Sequence, residues 1–388
     1  MKTVSKHTWV FGLLSLASVG CGSPSATPDA GANDASSSDS TANDSSTDAD
    51  AGGDASTSPI TGAPDDQWTW VDFPAAVCAN GSSTGLAINP HAGATNLMIY
   101  FEGGGDCVDA TTCWGPDAGA TNLNGYTQST FEGLVTSNKL VPTLLRTVSG
   151  NPFATMNMVY VPYCTGDLHS GTVLSNLTDS DGGTIPTYFY GALDMDAFLE
   201  RLVPTFPSMT RIWVIGSSAG GFGTYLNFGR IATAFGVGVD LIDDSGPPIY
   251  ENGSPTMDNA GLFGIWGTAA GLPTGCATCN SFRQVLDYDF TVQQSFSPLG
   301  RFGFLSFLED TTISKDFGYD ASTEYPPLME TFSASLPDSG LAATFLVSNY
   351  PSHVVESDPT LAQYYMPWMT NMINRDGGWA DETHDGGM

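Results

Sequence analysis

Residues 212–221 read Ile212-Trp213-Val214-Ile215-Gly216-Ser217-Ser218-Ala219-Gly220-Gly221. A short run of apolar β-formers ends in Gly-Ser-Ser-Ala-Gly, and Phe222 to Phe228 can continue as a helix. A strand, a sharp turn with a serine inside G-x-S-x-G, and then a helix are the context of a nucleophile elbow. Such a turn is tight enough to require small residues around the serine, which Gly216, Gly220 and Gly221 supply. Ser218 is therefore expected at the carboxyl end of a strand, its hydroxyl presented beside a helix N-terminus. The same five residues also occur in ordinary Gly/Ser loops, so the rest of the chain must supply a base, an acid and an oxyanion hole.

Upstream, Asn96 to Phe101 is a continuous apolar run, the pattern of a strand buried on both faces. It ends in Glu102-Gly103-Gly104-Gly105-Asp106-Cys107. Glycines at a strand end let backbone N–H groups turn toward a ligand, and a glycine loop placed ahead of an elbow forms one wall of an oxyanion hole. Gly104, Gly105 and Ala219 are the expected donors. Met158 to Pro162 reads as a further strand and Leu193 to Leu202 as a helix. Asp179-Ser180-Asp181-Gly182 reads as a turn, because Tyr190 occupies the place where a calcium loop needs a glutamate.

Downstream, Gly238 to Ile242 is a strand ending in Asp243-Asp244-Ser245-Gly246-Pro247-Pro248. Residues 250–300 read as an irregular, aromatic-rich insertion roofing the site. Phe302 to Leu308 is a strand running into Glu309-Asp310, and Ala343 to Val347 is a strand followed within a few residues by His353. Strands alternating with helical segments predict an α/β fold, a mostly parallel sheet with helices on both faces.

An elbow fold orders its catalytic residues as serine, acid, histidine. Of the five histidines only His353 and His384 follow Ser218. His384 lies in a polar tail expected to fray, which leaves His353 as the base. Asp310 at a strand end is the preferred acid; Asp244 is the alternative, although the Ser-Gly-Pro-Pro after it also suits a turn.

The N-terminus carries Lys2 and Lys6, an apolar stretch from Trp9 to Val19 and then Gly20-Cys21. The apolar stretch is too short to span a bilayer, so residues 1–21 read as an export signal. The small residue before Cys21 resembles a lipobox, with Ser18 departing from the usual leucine; lipidation of Cys21 is favoured over ordinary cleavage. Residues 22–66 are Ser, Ala, Gly, Thr and Asp almost throughout, with nine Asp and no Lys or Arg. Such a segment buries too little apolar surface to offset its ordering entropy and reads as a disordered tether with an rms reach of roughly 35–40 Å. The remaining residues, 67–388, suffice for one large domain.

The chain carries 41 acidic and 11 basic residues, a net charge of −30. With the nine linker aspartates and two leader lysines set aside, the folded part stays near −23, which excludes nucleic acid as an obvious partner and repels strongly anionic polymers. Apart from Cys21 there are Cys78, Cys107, Cys113, Cys164, Cys276 and Cys279. An even number in an exported chain reads as three disulfides, with fifteen possible connectivities. Cys276-Ala-Thr-Cys279 reads as a local bridge, since no second C-x-x-C pair and no nearby histidine accompany it.

Taken together, Tyr100-Phe101-Glu102-Gly103-Gly104-Gly105-Asp106-Cys107 with Cys113, Pro162-Tyr163-Cys164, Gly216 to Gly221 and Ser352-His353 resemble the pectin acetylesterase/Notum family, over roughly residues 68–360. The resemblance implies an α/β-hydrolase-like carboxylesterase with no metal or organic cofactor, and the pairs Cys78–Cys164, Cys107–Cys113 and Cys276–Cys279. Some members carry an aromatic residue in the oxyanion loop where this chain has Gly105. The family includes polysaccharide deacetylases and a protein–lipid deacylase, so substrate does not carry over. The leading expectation is an exported, envelope-anchored or secreted monomer that removes O-acyl groups, acetyl foremost, from a glycan. A lipid or polyester esterase, its long acyl channel lined by aromatics of residues 260–307, is the second reading. A surface glycan-binding module without catalysis is the third.

Overall fold

The computed structural model describes residues 57–249, 259–337 and 340–387. The leader, Cys21 and the linker up to residue 56 lie outside the described residues. Eleven strands occur among the described residues: β1 (Thr69–Val77), β2 (Ser83–Asn89), β3 (Asn96–Phe101), β4 (Asn157–Val161), β5 (Val173–Thr178), β6 (Thr184–Phe189), β7 (Arg211–Ser217), β8 (Val239–Asp244), β9 (Phe302–Phe307), β10 (Ala342–Ser348) and β11 (Glu382–Asp385). Nine of them form one sheet in the order β1-β2-β4-β3-β7-β8-β9-β10-β11. From β4 to β11 every neighbouring pair is parallel, and β1 and β2 add an antiparallel edge.

The continuous apolar runs are explained by cover on both faces. Along β3 and β7, Leu97, Ile99, Phe101, Ile212 and Val214 join one core, and Met98, Tyr100, Trp213 and Ile215 join the other. The helices Gly191–Thr205 and Ala219–Phe235 close the first core with Met195, Phe198, Leu202, Phe222 and Leu226. The helix Ala362–Ile373 closes the second with Tyr365, Trp368, Met369 and Met372. A mostly parallel sheet between helical layers is the α/β-hydrolase-like architecture expected. β5 and β6 pair as a separate hairpin, and Asp179 makes the turn between them by accepting the N–H groups of Asp181 and Gly183.

Two expectations are corrected. The C-terminal tail is not frayed: β11 pairs in parallel with β10, with His384 opposite Val347. Side-chain anchors outweigh its polar composition, because Asp381 accepts the N–H of Thr344 at 2.8 Å and Trp379 packs on Trp368. A short, polar strand is suited to a sheet edge. The stretch 250–300 is not irregular either. Residues 250–258 lie outside the described residues, but Asn259–Trp266, Thr268–Gly271 and Phe282–Val292 are helices.

The structure bonds Cys78 to Cys164, Cys107 to Cys113 and Cys276 to Cys279. The first ties the β1–β2 turn to the segment after β4, and the second closes the loop that follows the three glycines.

Candidate active site

β7 ends at Ser217 and the helix Ala219–Phe235 begins one residue later, with Ser218 between them at φ 56°, ψ −122°. A serine at positive φ is strained and is kept there only by close packing. That packing excludes side chains: a Cβ on Gly216 would lie 2.2 Å from the Gly220 carbonyl oxygen, and one on Gly220 would lie 2.0 Å from that of Phe101. The Ser218 hydroxyl does not cap the helix. Among the described residues it makes no hydrogen bond, and the residue is nearly buried at 9% exposure.

Glu102 to Gly105 leave the end of β3 directly against this turn; a Cβ on Gly103 would lie 2.4 Å from the Ser217 carbonyl. Gly104 at φ 154° and Gly105 at φ 76° use backbone that side chains rarely adopt. A Cβ on Gly105 would meet the Gly119 carbonyl at 2.0 Å, so no aromatic residue fits at that position in this chain. Among the described residues nothing accepts the N–H of Gly104 or Gly105. The N–H of Ala219 is that of the first residue of the helix, one of the four without an intrahelical acceptor. The three expected oxyanion donors are thus open.

Two groups whose roles the sequence reading did not assign, the buried His169 and the half-buried Glu102, support this loop. His169 donates through Nε2 to the Glu102 carbonyl at 2.9 Å and packs edge-on against Phe101; burial pulls its pKa down to about 4, so it is neutral. Glu102 accepts the N–H of Tyr163 at 3.0 Å, and burial pushes its carboxyl up to about 7. No spacing rule links residues 67 apart, so only the glycine motif itself marks their neighbourhood in the sequence.

Asp310 follows β9 and is fully buried. Its Oδ1 accepts the N–H groups of Thr312 and Ile313, each at 2.9 Å, and its Oδ2 accepts Nδ1–H of His353 at 2.8 Å. Burial disfavours the imidazolium, but the hydrogen bond and charge of Asp310, with the charges of Asp244 and Asp316, carry the His353 pKa above its ordinary value. Nδ1 held by Asp310 leaves Nε2 unprotonated in the neutral ring, the tautomer a general base needs. Asp244 does not touch the ring. Ser218 and His353 are not hydrogen-bonded to each other, as is common for such pairs without substrate; the serine is linked to the histidine loop through the backbone and side chain of Asp244. His384 is elsewhere, its ring 3.8 Å from that of Tyr364. An open cleft of about 840 Å³, lined among others by Leu199, Arg230 and Pro273, contains none of these groups.

No group of three or more His, Cys, Asp and Glu able to hold a metal ion occurs among the described residues; the arrangement at hand is a hydroxyl, an imidazole and a carboxylate. It can take a proton from a serine hydroxyl, hold the resulting imidazolium, and offer backbone donors to an oxyanion.

Comparison with known proteins gives the same direction. The family model described as Pectinacetylesterase matches residues 67–252. The palmitoleoyl-protein carboxylesterase Notum of Schmidtea mediterranea is 30% identical over 161 residues, 40% of this chain and 28% of that protein. The human protein of the same name is 27% identical over 168 residues, covering 41% and 30%. The chain therefore spans about a third or less of the length of these relatives. In the solved structures, the Wnt deacylase Notum from Drosophila superposes with a TM-score of 0.53 at 18% identity, over 74% of this chain and 86% of that one, a likeness of fold.

Proposed function

We propose that this chain, which belongs to the pectinacetylesterase family, is a serine carboxylesterase that removes short O-acyl groups from a glycan. The observation that carries the reading is the Asp310–His353 hydrogen bond between the segments that follow β9 and β10, in the same parallel sheet as an elbow whose serine hydroxyl is unpartnered among the described residues. Ser218 attacks the ester carbonyl, and His353 takes its proton and returns it to the leaving alcohol. Asp310 holds the tautomer and the charge. Ala219, Gly104 and Gly105 meet the oxyanion, where loss of one donor typically costs about 3–4 kcal/mol. Water repeats the sequence on the acyl-enzyme.

Two features favour a short acyl group and a hydroxyl-rich substrate over a lipid. Phe263, Trp266 and Phe282, candidates for lining a long channel, are buried in the core, where the Phe282 ring packs at a tilt against Phe222 and Phe263. Beside the oxyanion glycines stands Asp106, pushed up to about 7 by burial and by the charge of Asp316, a polar wall. Turnover of p-nitrophenyl acetate is expected to exceed that of the octanoate by at least about tenfold in kcat/KM, since a short pocket excludes the longer chain and a misfit of even one methylene is worth about 1–3 kcal/mol. A preference for octanoate points to the lipid reading, and no turnover of either ester to the non-catalytic one.

Export belongs to the same proposal. The leader, lipidated Cys21 and the acidic tether would hold the esterase off a membrane surface, and the disulfides suit an oxidising compartment. Cys21→Ser is expected to move the protein to the soluble fraction with esterase activity intact. Absence of lipid on the wild-type protein by mass spectrometry removes the anchor from the proposal.

A further inference from the structure

Asp244 is the last residue of β8 and is fully buried. It touches both halves of the site. Its carbonyl oxygen accepts the N–H of Ser218 at 2.7 Å. Its carboxylate accepts the N–H of Val355 at 2.9 Å, the N–H of Glu356 at 2.7 Å and the hydroxyl of Ser245 at 2.9 Å. The Ser245 oxygen in turn accepts the N–H of Val354 at 3.2 Å. Three successive N–H groups directly after His353 thus end on two adjacent residues.

The loop requires such a hold. Val354 sits at φ 62°, ψ 99°, and a β-branched residue at positive φ persists only where its surroundings over-determine it. His353 immediately precedes it, so relaxation of Val354 would turn the imidazole away from Asp310. Ser218, at φ 56°, and Ser245, at φ 64°, are also strained, and Ser218 hangs on the same aspartate. The negative charge stays on Asp244: it is raised to about 6 by burial, but the N–H groups of Glu356 and Val355, the Ser245 hydroxyl and the His353 charge favour its ionised form. Its neighbour Glu356, driven up to about 8 by burial and by the Asp244 charge, is protonated at neutral pH. The phenols of Tyr100 and Tyr365 face the same pair.

We infer that Asp244, with Ser245, is a positioning residue that clamps the backbone behind His353 and fixes it relative to Ser218. The inference rests on the proposed roles of Ser218, His353 and Asp310, and gives Asp244 a part distinct from that of the acid on the imidazole. An asparagine at 244 keeps one acceptor oxygen where two N–H groups and a hydroxyl now end, so at least one of these donors loses its partner.

The test uses Asp244→Asn and Ser245→Ala in the intact chain. For p-nitrophenyl acetate, Asp244→Asn is expected to lower kcat by about 10- to 100-fold, the scale of a misplaced catalytic group, with KM within about twofold. Its acid limb in kcat/KM moves to lower pH, because a negative charge that supports the imidazolium is lost; Asp310 and Asp316 are the charges that remain facing the ring. Ser245→Ala removes the Val354 contact and the hydroxyl's own bond to Asp244, leaves the Val355 and Glu356 contacts in place, and is expected to lower kcat about three- to tenfold. A second arm follows the His353 ring by imidazole NMR in a Ser218→Ala background, where turnover plays no part. Addition of Asp244→Asn should lower its titration midpoint and broaden the Nδ1–H signal. That arm still reads the clamp if the esterase reading fails. Folded variants with wild-type kcat and an unmoved His353 titration overturn the inference, as does a loss of activity that follows melting temperature alone. If Asp244→Asn does not fold, Ser245→Ala decides by the same two readouts.

Discussion

Ser218→Ala is expected to lower kcat on p-nitrophenyl acetate by about 10⁴- to 10⁶-fold, the range seen when the nucleophile of a serine triad is removed. Stability should hardly change, and the structure says why. The Ser218 hydroxyl neither caps the elbow helix nor meets another group among the described residues, so its removal leaves no buried donor or acceptor behind. The backbone strain at φ 56° is unaltered, because alanine carries the same Cβ. His353→Ala should fall into the same range, and the double variant should be hardly worse than either single one, since the residues act as one unit. Multiplicative losses in the double variant would indicate two independent effects. Full activity of a folded Ser218→Ala protein would remove the esterase reading altogether.

The core of the fold was legible because parallel strands covered on both faces write themselves as unbroken apolar runs. Asn96 to Phe101, Phe302 to Leu308 and Ala343 to Val347 are such runs, and each is a strand to within a residue or two. The elbow was legible for a steric reason: a Cβ at Gly216 or Gly220 would collide with backbone, and one at Gly221 with the Asp243 carboxylate. What local pattern could not show was anything set by a distant partner. β11 looks like a polar tail, and its place in the sheet comes from partners on other elements, the β10 ladder, Thr344 and Trp368 among them. The helix Asn259–Trp266 lacks a clear period because it is apolar nearly all round. In Phe282–Val292, by contrast, Phe282, Val285, Leu286 and Asp289 form a buried face with helical spacing, a signal the sequence carried and the reading as an irregular insertion passed over. The choice between Asp310 and Asp244 was equally hidden. Both close a strand, and only the tertiary path of the loop after β10 decides which carboxylate meets the imidazole and which meets the backbone behind it.

That division makes Asp310→Asn the sharper of the two substitutions, and its effect can be argued atom by atom. The N–H groups of Thr312 and Ile313 both point at Oδ1. An asparagine must therefore turn its carbonyl oxygen toward them, because the opposite rotamer sets its NH₂ against two donors. Its Nδ2 then faces His353 and donates to Nδ1, which was the donor in the wild-type pair. The ring is forced into the tautomer protonated at Nε2, which cannot accept the serine proton. A loss of about 10⁴-fold in kcat follows, by analogy with the same exchange in other serine triads. The retained bonds to Thr312 and Ile313 keep the variant folded. The pH profile carries an independent sign. The wild-type His353 pKa is raised, so activity falls as pH drops through a value above the ordinary ~6.5. Without the Asp310 charge, burial of the ring is opposed only by Asp244 and Asp316, and the acid limb of the residual kcat/KM moves to lower pH. A folded Asp310→Asn enzyme that keeps wild-type turnover and the wild-type acid limb, beside an inactive Asp244→Asn, would show that Asp244 and not Asp310 serves the histidine.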